Sequence, residues 1–286
     1  MAAIHKCSMR KSELVALAAA GVIAGCSFYD YEKRQPPKIQ HTTPAIQPIA
    51  SPSFDAYSIG KAPDFASIEN VTAKKRAFFD YLRPGIAYEN QRVLNERNRL
   101  DAIRDDFVAG MVSDRDIEYA KTLSKRYRVK LDSSGIDQQW LDQMLHRVDV
   151  IPEALVLVQG ANESAWGTSR FATQANNYFG QWCYTAGCGV IPLKRGEGMT
   201  HEVAKFSSVQ ESIEGYFMNV NRNKAYEALR EIRYQRHLRG ESLTDTTAAL
   251  ALTQGLLKYS ERGEEYVKDL QAMIRHNQSF WKDNEQ

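Results

Sequence analysis

The sequence predicts a mainly α protein, of α+β type, in which a helical body carries one small β-hairpin lobe. Apolar residues recur at three- and four-residue steps from about Val71 onward, the period of helices packed on one face. Ala154 to about Glu163 is apolar on nearly every side, the pattern of a helix buried all round. Gly180 to Phe206 breaks that texture with five glycines, two cysteines and short extended runs. The 286 residues, 43% hydrophobic and 25% charged, suffice for one or two domains with a sizeable core and exclude wholesale disorder. A formal charge of +2 gives no footprint for nucleic acid.

Residues 1–25 read as an export signal. Lys6, Arg10 and Lys11 precede an apolar segment from Leu14 to Ala24 that is short for a membrane span. Translation can start at Met1 or at Met9, where Met9-Arg10-Lys11 makes a compact basic start. The segment ends Ile23-Ala24-Gly25-Cys26, which resembles a bacterial lipobox. The resemblance implies cleavage before Cys26 and lipidation there, with Ser27 favouring the periplasmic face of the outer membrane. A soluble secreted protein with an incidental Cys26 is the alternative. Cleavage removes three basic residues and one acidic one and leaves 34 of each, so net charge steers nothing. Six of the nine prolines fall between Pro36 and Pro63, among Ser, Thr, Gln and Ala, so residues 26–68 are expected to form an extended tether.

A helical arm over 69–139 follows. Phe79, Leu82, Ile86, Val93, Leu100, Ile103 and Phe107 share one helical stripe, which Pro84 and Gly85 should break or kink. Ser113-Asp114-Arg115-Asp116 resembles a capping box opening a helix with Ile117, Ala120, Leu123 and Tyr127 on one face. These stripes suit core packing, with a partner of the arm as the alternative. From 140 the chain reads as a compact domain reaching 278. A short helix carries Trp140, Leu141, Met144 and Leu145. Pro152-Glu153 opens the apolar helix, a hairpin turns around Gly196-Glu197-Gly198, and Ser208-x-x-Glu211 caps a return to helix. Three further helices then reach Ile274.

Glu163 ends the apolar helix, next to Ser164-Ala165-Trp166-Gly167. A carboxyl at the rim of an apolar core near an aromatic ring is desolvated, which raises its pKa and suits it to donate a proton. A solvated helix-terminal Glu is the plainer reading of the same pattern. Cys183 and Cys188 lie five positions apart, a spacing that an oxidising compartment allows to close as a disulfide; free thiols are the alternative. No nearby Cys/His pair completes a zinc site, so no metal is expected. His201-Glu202 lacks the second His of a zincin, Ser164 lacks a Gly-x-Ser-x-Gly elbow, and no Gly-rich phosphate loop is present. No cofactor is implied.

Ala161-Asn162-Glu163-Ser164-Ala165-Trp166-Gly167-Thr168-Ser169, followed by Asn176-Asn177-Tyr178-Phe179-Gly180, resembles the glucosaminidase domain of glycoside hydrolase family 73. With Gln181-Trp182-Cys183 and His201-Glu202-Val203 the run is most similar to the Bax-like branch. The resemblance covers roughly 140–278. It implies a lysozyme-like fold with a cleft between helices and hairpin, and hydrolysis of the β-1,4 bond after N-acetylglucosamine in peptidoglycan. Glu163 would be the proton donor. Ser164, Trp166, Asn176, Asn177, Tyr178 and Phe179 would line the sugar site, core packing being the alternative for Phe179. Tyr259 matches a family Tyr that meets the reacting sugar, or else bonds a loop carbonyl. Members carry a second carboxylate in the hairpin lobe; Glu202, or Glu197 at the hairpin tip, stands there. A lytic transglycosylase and a non-catalytic wall-binding lipoprotein are the rival functions.

Overall fold

The computed structural model of the protein describes residues 58–193 and 198–281. The leader, Cys26, most of the expected tether and Glu197 lie outside the described residues.

Helix α1 (Val71–Val108) opens on Asn70, whose side chain accepts the Ala73 amide, and buries Phe78, Phe79, Leu82, Ile86, Val93, Leu100 and Ile103. The expected break at Pro84 does not occur, and the helix runs through it. Proline removes one amide donor, a cost of about 3 kcal/mol that a long buried face outweighs. Gly85 is needed for close packing instead: a Cβ there would lie 2.7 Å from Ile213 and 2.6 Å from Gln210.

Helix α2 (Asp114–Tyr127) starts with the expected capping box, in which Ser113 and Asp116 each accept the other's backbone amide. Helix α3 (Gln138–Arg147) buries Trp140, Leu141, Met144 and Leu145. Helix α4 (Glu153–Ser164) is buried at every position from Ala154 to Ala161. After α5 (Arg170–Ala175) come strands β1 (Trp182–Cys183), β2 (Gly189–Val190) and β3 (Glu202–Ala204). The expected β2–β3 hairpin is present, and β1 adds a third antiparallel strand on the far side of β3, with Cys183 opposite Glu202. Ser208 accepts the Glu211 amide and caps α6 (Val209–Arg222). Helices α7 (Glu227–Leu238), α8 (Thr246–Leu252) and α9 (Glu264–His276) complete the body. The described residues thus form a mainly α, lysozyme-like arrangement with one small sheet.

The segment 69–139 is not set apart from the domain that follows. The described residues form one compact unit, and α1 packs on α3, α4 and α6 within a single apolar core. That core also encloses charge. Glu89, Arg92 and Glu96 of α1 are buried, with Arg92 donating to both carboxylates and Arg126 and Tyr127 of α2 donating to Glu96. Buried charges of this kind require partners, because a lone one would have to give up its hydration uncompensated.

The entry to α4 hangs on Arg233 of α7, which is 1% exposed. Its guanidinium donates to the carbonyls of His146, Arg147, Asp149 and Val150 and to Asn221 Oδ1. Arg233→Met leaves the His146, Arg147 and Val150 carbonyls and Asn221 Oδ1 without this donor, while Asp149 O keeps Asn221 Nδ2, and we expect about 3 kcal/mol of lost stability in urea unfolding.

Candidate active site

Helix α4 ends in an abrupt turn. Ala165, Trp166 and Gly167 are consecutive left-handed residues, with φ of 50°, 58° and 77°. Such backbone costs about 1–2 kcal/mol at each non-glycine residue, so something must hold it. Ser164 does: its hydroxyl donates to the Gly160 carbonyl (2.6 Å) and accepts the Gly167 amide (2.8 Å). The Trp166 amide donates to Ala161 O, and Ser169 N to Ser164 O. Gly167 also lacks room for a side chain, since a Cβ would come within 2.4 Å of the Phe65 ring. Ser164 is therefore a fully buried stitch, not a cleft residue. The Trp166 ring lies against Phe78 and Phe79 of α1, with the Lys75 ammonium 5.3 Å above it.

The turn leaves Glu163 at the helix end, partly accessible. Tyr266 of α9 donates to Glu163 Oε1 at 2.8 Å and Asn162 donates to the same oxygen at 3.3 Å. Oε2 faces Gly180, where an added Cβ would be 2.9 Å away. Gly180 (φ 61°) thus serves both backbone geometry and close approach to the acid. Burial pushes the Glu163 carboxyl above the ordinary range, against the two hydrogen bonds that favour its ionised form. The ring beside the acid is Tyr266; Trp166 is turned toward α1.

Residues 176–179, for which the family resemblance implies a place in the sugar site, make structural contacts here. Asn177 donates to the Gln181 and Ala204 carbonyls and accepts the Phe179 and Gln181 amides, so its amide is fully engaged in joining the sheet to the body. Asn176, at φ 51°, ends α5 and donates to Phe206 O. Tyr178 and Phe179 are 1% and 0% exposed and cannot present a face to a sugar. Tyr259 takes the second of its two expected roles. Its hydroxyl donates to Phe179 O at 2.7 Å, and its ring stacks on Tyr266 with centroids 5.7 Å apart.

Cys183 and Cys188 are joined as a disulfide, with Cα atoms 6.2 Å apart. Glu202 lies against the bridged loop: Oε1 accepts the Gly187 amide (3.0 Å) and Oε2 the Gly189 amide (2.8 Å). At 6% exposure, with both oxygens engaged, it latches the loop. The cysteines and Glu202 are also the three-ligand cluster among the described residues, but sulfurs bonded to each other are not thiolate ligands. Tyr184 is 77% exposed in the same loop.

The sequence model of a family described as mannosyl-glycoprotein endo-β-N-acetylglucosaminidase matches residues 138–279. Protein bax of Escherichia coli (strain K12) is 33% identical over 216 residues, spanning 76% of this chain and 74% of the relative. The chain belongs to the glucosaminidase family. No solved structure matches it. Membership makes this a glycoside hydrolase-type domain.

Two residues around Glu163 escaped the sequence reading. Gln159 is the one polar side chain within Ala154–Ala161, and that oddity was the available signal. Tyr266 carries no local signal, because only the fold brings it to Glu163.

Two outcomes follow from this geometry. The folded-state pKa of Glu163 is raised, so its contribution to stability is fully present below the unfolded value and is lost as pH rises through the folded one. Glu163→Gln is therefore expected to be more stable than the parent in urea at pH 7, with the difference vanishing near pH 4. Glu202→Ala leaves two loop amides without acceptors, and limited proteolysis should then cut within 184–200 under conditions that leave the parent whole.

Proposed function

We propose that the protein hydrolyses the β-1,4 bond after N-acetylglucosamine in peptidoglycan, with Glu163 as the general acid. The observation that carries this reading is a partly accessible carboxyl, desolvated at the end of a buried helix, with both of its hydrogen-bond donors on Oε1. Among the described residues no donor engages Oε2, so that oxygen carries the transferable proton. Protonating the leaving glycosidic oxygen is the task of a carboxyl whose pKa lies near the working pH. Glu202, with both oxygens on backbone amides, acts by holding the loop and not by taking a proton. The base or the stabilising group then falls to Glu197 or to the substrate's own acetamido oxygen.

The leader and Pro-rich segment support a further part of the proposal. Lipid at Cys26 and a Pro-rich tether ending before Phe65, which is packed in the core and so shortens the expected 26–68 tether, would confine the hydrolase to the wall beneath the outer membrane at high local concentration.

The test is digestion of purified sacculi by the chain lacking residues 1–26, which retains every described residue. Mass spectrometry after borohydride reduction identifies the new ends. Reduced N-acetylglucosamine ends are expected, with Glu163→Gln at least about 100-fold slower. The rate should fall as pH rises through the raised Glu163 pKa, because the protonated form is the active one. Anhydro-muramyl ends would make the protein a lytic transglycosylase. Sacculi bound but uncut would make it a wall-binding module.

A further inference from the structure

Behind Glu163 runs a chain of hydrogen bonds with one direction. Tyr216 of α6 donates its hydroxyl proton to Gln159 Oε1 (2.5 Å). Gln159 Nε2 donates to the Tyr266 hydroxyl oxygen (3.0 Å), and Tyr266 donates to Glu163 Oε1 (2.8 Å). A side-chain amide has a donor end and an acceptor end, so the end that Tyr216 takes decides which end faces Tyr266. Tyr216 is completely buried against Phe179, and among the described residues Gln159 is the partner of its hydroxyl. Turning the amide over would make Tyr216 an acceptor and strand its proton, a cost of about 1–3 kcal/mol. With the amide held, Nε2 takes a lone pair of Tyr266 and leaves the Tyr266 proton pointing at the acid.

Resting on the reading of Glu163 as the general acid, we propose that Gln159, Tyr266 and Tyr216 are its positioning residues. Tyr216 anchors the relay, the relay keeps Glu163 Oε1 an acceptor, and a proton on the carboxyl therefore sits on Oε2 beside Gly180. The titratable groups coupled to Glu163 come from four elements: Tyr216 of α6, Tyr226 of the turn before α7, Tyr259 of the turn before α9, and Tyr266 of α9. Burial holds each phenol neutral well beyond the range in which a carboxyl titrates. Asn162 on α4 is the second donor, and among the described residues no charged side chain bonds to the acid. The tyrosines therefore act on Glu163 through the direction of their protons and not through charge.

The test uses Tyr216→Phe, Tyr266→Phe and the double variant, in the chain lacking residues 1–26. Carbon-13 NMR of the glutamate carboxyls follows the Glu163 titration, assigned by difference against Glu163→Gln, and sacculus digestion gives the pH–rate profile. Tyr216→Phe makes no hydrogen bond to Glu163 in either state, yet it should move the Glu163 midpoint upward, because the freed amide lets Tyr266 turn away. Tyr266→Phe should move it further, and the double variant should match Tyr266→Phe alone. The alkaline limb of kcat/KM should shift in the same direction. An unmoved midpoint in Tyr216→Phe, or additive shifts in the double variant, would overturn the relay. If Tyr216→Phe does not fold, Gln159→Met breaks the same link and must reproduce the upward shift. Should the parent cut no sacculi, the proposed activity fails while the titration still decides the relay.

Discussion

A helix with almost no exposed surface ends in a carboxyl group, and the other elements are arranged to keep that helix covered. Helices α1, α8 and α9 pack on α4, and the same covering that stabilises its apolar side chains withdraws water from Glu163. Withdrawal of water raises the pKa of an acid, and a raised pKa is what proton donation near neutrality requires. Stability and chemistry oppose each other at this residue. The neighbours that soften the conflict are neutral phenols and amides, which supply hydrogen bonds without adding charge.

The β lobe faces a different constraint. Strands of two and three residues cannot enclose a core, so their place depends on covalent and polar attachment. The disulfide closes the loop, Glu202 holds two of its amides, and Asn177 ties the sheet to the body through four hydrogen bonds. Residue types that can bind a sugar are thus used on the backbone. A buried backbone group needs a partner whether or not a substrate is present, and these side chains lie nearest. Tyr184 remains exposed in the loop that the disulfide closes.

Much of the helical body was legible in the sequence because periodicity and capping act over a few residues. The Ser113 box, the Ser208 cap and the all-round apolar character of α4 follow from neighbours along the chain, and each is present. Pro84 shows the limit of such reasoning. Its local preference is real, but the buried face of α1 continues past it and outweighs one lost hydrogen bond. The ion network of Glu89, Arg92 and Glu96 was equally hidden, since charged residues on a helix read as solvated until α2 and α6 are laid over them.

By itself, the sequence determined the caps at Ser113 and Ser208 and the all-round apolar course of α4, because spacing and residue type settle these within short segments. Only the tertiary structure decided which side chains surround Glu163. Gln159 lies one turn before it, but Tyr216 and Tyr266 lie on other helices, and hydrogen-bond direction depends on all of them at once. Tertiary structure likewise assigned Ser164, Asn177 and Glu202 to the backbone: whether a polar side chain meets a ligand or an amide depends on what the folded chain leaves unpaired beside it.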